Sequence, residues 1–156
     1  MLRGRGSHYR AYATEAFRLL AREGSAEAYR GKILEAVCQR QREEGGGGLP
    51  MTGSQVEATL LKAERERAAK AGTIRDLEAA EAALAVVERM PEGRHRVEAV
   101  KAVYMVNPWQ PLRRGDIRDR VCRASITIPA SERAIYKWLA GARDLFAEAR
   151  ELRTGD

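Results

Sequence analysis

The sequence predicts an all-α protein, and three observations carry that expectation. Ala, Leu, Glu, Arg and Lys, the residues most tolerant of a helical backbone, are abundant, while aromatics make up only 6% of the chain. Apolar residues recur at three- and four-residue spacing through most of the 156 residues. Period-two alternation is missing except at the stub 125–128. The expected architecture is an N-terminal helical hairpin, a set of middle helices and a C-terminal helix-turn-helix.

The elements follow in order. After a short basic lead, Ser7 is placed to cap a helix whose apolar face is Tyr9, Tyr12, Ala13, Ala16, Phe17 and Leu20. Gly24 closes it, and Ser25 caps a second helix through Tyr29, Ile33, Leu34, Val37 and Cys38, so the two form a hairpin over 1–44. The four glycines at 45–48 with Leu49 and Pro50 mark a linker, 45–51. A phosphate loop would need a Gly-Lys-Ser/Thr continuation, and Leu-Pro-Met stands there instead. Thr52 or Ser54 starts a third helix with Val56, Leu60, Leu61 and Ala68 expected inward, and Gly72-Thr73 is expected to end it and cap a fourth. In the fourth, Ile74, Leu77, Ala80, Leu84 and Val87 run at near-heptad spacing, which suits a face packed in its own bundle or a seam for a second copy, so 52–92 is the candidate homo-oligomer region. Met90 to Gly93 breaks the chain. A fifth helix carries Val97, Val100, Val103, Tyr104 and Val106 before Asn107-Pro108 stops it, leaving Trp109 in a connector.

Charge is distributed unevenly. The net formal charge is +6. Lys and Arg outnumber Asp and Glu by nine to six over 1–44 and by ten to seven over 112–156, while 45–111 balances at nine each. Positive charge concentrated at both ends suits a polyanion, because Lys and Arg facing phosphates release condensed counterions. No run approaches the roughly 20 apolar residues of a membrane span, and the start of the chain has no apolar leader, which predicts a cytoplasmic protein with no membrane partner. Cys38 and Cys122 form no Cys-x-x-Cys pair, and His8 and His95 have no ligand partner at metal spacing. The carboxylates alternate with Arg and Lys in the manner of solvated helix faces, as at 62–67 and 78–88. No nucleophile motif or dinucleotide fingerprint occurs. A protein that is not an enzyme, with no cofactor and no metal, is expected.

The segment 93–156 carries the functional expectation. Asp116 caps or begins a helix with Ile117, Val121 and Cys122 inward, and a connector over 124–130 holds Ile126 and Ile128 as anchors. Ser131 caps the last helix, in which Ile135, Trp138, Leu139, Ala142, Leu145 and Phe146 form the apolar face. Its first turns offer Ser131, Glu132, Arg133, Tyr136 and Lys137. In a helix-turn-helix those positions meet base edges in the major groove, and an arginine there can donate two hydrogen bonds to guanine. Arg114, Arg118 and Arg143 are the expected phosphate contacts. Glu132 is equally suited to a helix-start charge, and Tyr136 to packing.

The string SERAIYKWLAGARDLFAEAR, residues 131–150, resembles the end of the ArpU/RinA-like phage transcription regulators, which in turn resemble the promoter-reading C-terminal domain of bacterial sigma factors. Ser131, Ile135, Tyr136, Trp138, Leu139, Ala142, Arg143 and Phe146 fill the shared pattern. The resemblance implies a phage or prophage regulator bound to duplex DNA and touching RNA polymerase. Two features depart from the pattern. Ala134 stands where a threonine is common, and the connector is longer than the usual three or four residues. Two alternatives stay open: a DNA-packaging protein of the small-terminase kind, and a helical protein–protein adaptor that binds no nucleic acid.

Overall fold

The computed structural model describes residues 5–44 and 52–152, so the expected linker at 45–51 lies outside the described residues. Seven helices make up these residues, with no strand among them: α1 (Arg5–Glu23), α2 (Ala26–Glu44), α3 (Gly53–Ala69), α4 (Ala71–Glu88), α5 (Gly93–Tyr104), α6 (Asp116–Thr127) and α7 (Glu132–Ala149). The protein is all-α.

Several ends fall where side-chain chemistry placed them. Gly24 closes α1 with φ of 85°, a left-handed conformation that glycine adopts without a Cβ penalty. Ser25 Oγ accepts from Ala28 N at 2.9 Å at the start of α2. Thr52 and Gln55 form a reciprocal capping box on α3. Other ends moved. Ser7 lies inside α1, which begins at Arg5. The break between α3 and α4 is at Lys70, and Gly72 and Thr73 are helical. α5 ends at Tyr104, so Val106 falls beyond it and is 39% exposed.

One buried cluster runs through α1, α4, α5, α6 and α7, with Ala26 of α2 at its edge. Phe17 sits at its centre, its ring 6.1 Å from those of both Tyr104 and Phe146. Leu77, Ala80, Val100, Val103, Val121, Ile135 and Leu139 close around it, each at most 1% exposed. Burying each of the larger side chains contributes about 1.5–3 kcal/mol. The cluster draws residues from both sides of 92–93, where the sequence expects a domain boundary and the chain turns from α4 into α5. Of the stripe Ile74, Leu77, Ala80, Leu84 and Val87, Leu77, Ala80 and Val87 lie in this core and Leu84 packs half-buried against it, while Ile74 is buried at 7% exposure outside the cluster.

α3 corrects another expectation. It packs on α2 and α4 through Thr59 and Ala63, which are 3% and 2% exposed. Val56, Leu60 and Leu61 are 42%, 50% and 55% exposed, and Ala68 is also exposed. Small residues let the helix approach its neighbours closely, so its larger apolar side chains are left on the outer face.

A polar junction ties the ends of the chain together. Asp76 Oδ1 accepts from the Tyr12 hydroxyl at 2.5 Å and from Arg150 Nε at 2.8 Å, joining α1, α4 and the end of α7. The Arg150 and Asp76 side chains are only 16% and 20% exposed. Burial, with the Asp76 hydrogen bond next, holds the Tyr12 hydroxyl above its ordinary pKa, so it stays a neutral donor. Asp76→Ala is expected to lower stability by about 1.5 kcal/mol, because two donors lose their acceptor. Urea denaturation checks this value, and an unchanged midpoint refutes the junction's role.

Candidate nucleic-acid interface

The C-terminal elements are built on a three-helix arrangement in which α5, α6 and α7 pack against one another. Between α5 and α6, Gly115 takes φ of 90°, and Asp116 Oδ2 accepts from Arg113 N at 2.7 Å, so Asp116 fastens the turn and begins α6. α6 buries Val121 and Ala124, with Ile117 half-buried. Cys122, expected inward, is exposed. Arg120 turns back to donate to the Val103 carbonyl at 2.9 Å. Arg118 is exposed, so these two arginines do different work.

The connector differs from the sequence expectation. Residues 124–127 are the last turn of α6, where the Ser125 and Thr127 hydroxyls bond back to the Cys122 and Ala124 carbonyls. Only Ile128, Pro129 and Ala130 remain between α6 and the capping residue Ser131. Pro129 disfavours the helical conformation at the residue before it, and Ile128 is extended at φ −101° and ψ 134°. Ile128 is the buried anchor, at 4% exposure, while Ile126 is 81% exposed and anchors nothing. The turn is therefore short, and the expected departure in connector length is absent.

α7 opens as anticipated. Ser131 Oγ accepts from Ala134 N at 3.1 Å, leaving its own O–H free to donate. Ser131→Ala is expected to cost about 1 kcal/mol of stability, measurable by thermal or urea unfolding, whatever its effect on ligands. The buried face carries Ile135, Trp138, Leu139, Ala142 and Phe146, with the Arg96 guanidinium of α5 lying 5.6 Å above the Trp138 ring. Leu145 is half-buried beside them. Arg133, Tyr136 and Lys137 are exposed on the remaining surface, with Arg133 and Lys137 one turn apart.

Glu132 has a structural partner. Its carboxylate stands close enough to the exposed Cys122 thiol of α6 to push the thiol pKa up. Arg143 is also engaged by the fold. Its Nη1 donates to the Tyr104 hydroxyl at 3.1 Å, and the Tyr9 hydroxyl lies 2.8 Å from both the Arg143 carbonyl and Asp144 Oδ1. It stands roughly 15 Å along α7 from Arg133. The other expected cations differ. Arg114, Arg118, Arg133 and Lys137, together with Arg123, are all exposed, and none is joined in an ion pair among the described residues.

Among the described residues, no group of three or more His, Cys, Asp or Glu side chains gathers where it could hold a metal ion, and no helix is long and apolar enough to cross a membrane. No known family model, curated protein or solved structure matches this chain.

Proposed function

We propose that this protein is a sequence-specific duplex-DNA-binding protein, a phage or prophage transcription regulator working in the bacterial cytoplasm. α6 and α7 serve as its helix-turn-helix, and α7 enters the major groove. The observation that carries the reading is the set of exposed cations without ion-pair partners on α6, on the turn before it and on the first turns of α7. Elsewhere in the chain some arginines are matched to carboxylates, as in Arg30–Glu78, Arg94–Glu98 and Arg150–Asp76. Others, such as Arg65, Arg75 and Arg89, are exposed and unmatched among the described residues but stand on or at the end of helices outside this unit. Cations left unmatched on one element pair are free to release counterions from a polyanion.

The short turn, the capped start of α7 and the packing of both helices on α5 support the same reading. The first N–H groups of α7 point at whatever meets the helix start, and the helix dipole favours a phosphate there. Arg133 reads a base edge, with Lys137, Tyr136 and the Ser131 hydroxyl beside it. Arg114 and Arg118 hold phosphates. The resemblance of 131–150 to phage regulators and sigma-factor promoter readers adds RNA polymerase as a second partner.

Selection from a pool of random duplex DNA at two salt concentrations tests the proposal. An enriched motif whose retention falls with salt is the expected result. Retention without enrichment moves the protein toward packaging, and no retention at low salt overturns DNA binding altogether.

A further inference from the structure

A second feature lies where α1 meets the connector between α5 and α6. A cleft of about 440 Å³ opens there, lined by Glu15, Arg18 and Arg22 of α1 and by residues 108–112. Arg18 is only 1% exposed, the largest of the fully buried side chains. Its Nη2 donates to the Gln110 carbonyl, and its Nε lies 3.5 Å from a Glu15 carboxylate oxygen that is itself on the surface. Its Nη1 is buried with no hydrogen-bond partner among the described residues.

An unfilled donor on a buried cation is costly, and the arrangement persists here beside further positive charge. Arg22 donates to the Pro108 carbonyl at 3.0 Å at the cleft wall. Burial lowers the Arg18 pKa, and Arg120 and Arg22 press in the same direction against Glu15 and Asp116. Trp109, which is 73% exposed, lines the same cleft. A tryptophan left open to water between Pro108 and Pro111 of the cleft lining offers a flat face to a planar ring. The guanidinium groups of the same cleft offer planar, paired donors to a phosphate.

We propose that this cleft binds a nucleoside 5′-monophosphate, its phosphate on Arg18 and Arg22 and its base stacked on Trp109. The volume suits a ligand of that size. Glu15, exposed and held to Arg18 by one long contact, gives way to the phosphate. The site is separate from α7 and does not depend on the duplex-DNA reading.

The test is titration of the whole chain with deoxyadenosine 5′-monophosphate, deoxyadenosine and inorganic phosphate. It is followed by the Trp109 indole N–H resonance and by calorimetry. Trp138 is 7% exposed and serves as an internal control. A saturable shift of the Trp109 signal is expected with the nucleotide, at an affinity about tenfold or more above that of either fragment. Trp109→Ala and Arg22→Ala are each expected to weaken binding by about tenfold in calorimetry. Circular dichroism verifies that both variants fold, which spares the test from the buried Arg18. Absence of a saturable shift overturns the proposal. So does phosphate binding as tightly as the nucleotide with Trp109→Ala unaffected, or nucleotide affinity unchanged in both variants.

Discussion

Gly93→Ala is expected to destabilise the protein by about 3 kcal/mol or more, the largest effect of a methyl group added at any of the described glycines. A Cβ at position 93 would stand 2.0 Å from the Glu88 carbonyl oxygen and 2.8 Å from that of Val87. Both are backbone atoms at the end of α4, so no side-chain rotation relieves the clash. The turn is already tight. Glu92 occupies the left-handed region at φ 58°, and Gly93 N donates to the Met90 carbonyl at 2.9 Å. Moving the start of α5 away from α4 would also disturb Val100 and Val103, which lie at the centre of the shared core. Gly72→Ala supplies the contrast. Gly72 is helical, exposed and has nothing within 4 Å of its would-be Cβ, so the same substitution should stabilise by about 0.5–1 kcal/mol. Urea midpoints of the two variants should move in opposite directions. If Gly93→Ala unfolds like the parent, the close approach of α4 and α5 is misplaced.

That pair of glycines also shows what the sequence made legible. Both read as chain breaks in the sequence, yet only Gly93 stands at one. A lone glycine costs a helix roughly 1 kcal/mol, which packing of α4 against α7 and α1 exceeds, and nothing local in the sequence reveals that packing. The caps at Ser25, Thr52 and Ser131 were legible because each rests on a side chain bonding to a backbone N–H two or three residues away. The apolar face of α7 was legible because it has no rival face. In α3, by contrast, Val56, Leu60 and Leu61 carry the same periodic signal as a buried stripe, and only contact with α2 and α4 turns Thr59 and Ala63 inward instead. The end of α6 was misjudged because Ile126 and Thr127 are β-branched and favour extended structure. Pro129 held the better signal, since it biases Ile128 alone toward an extended conformation. The burial of Arg18 left no mark in the sequence beyond its place beside Phe17.

At the proposed DNA interface, the surface cations divide into three kinds, and three substitutions separate them. Arg133→Ala should cost about 1–3 kcal/mol on the selected sequence and little on unrelated duplexes, because a bidentate base contact discriminates while a phosphate contact does not. Arg118→Ala should weaken binding to all sequences alike and reduce the slope of log affinity against log salt by about 1, since one fewer phosphate is neutralised. Arg143→Ala should leave that slope unchanged. Its guanidinium bonds to the Tyr104 hydroxyl, and its Nε is buried without a hydrogen-bond partner among the described residues, so its removal should appear in the urea midpoint as a loss of about 1 kcal/mol. The sequence pattern groups Arg143 with the phosphate contacts, and the structure shows its half-buried guanidinium bonded to Tyr104. Affinities of the three variants for a selected and a scrambled duplex, each at several salt concentrations, distinguish these roles. If Arg143→Ala lowers the salt slope as Arg118→Ala does, the DNA path runs along α7 toward its C-terminal end. If Arg133→Ala and Arg118→Ala both bind as the parent does, α7 is not the reading helix.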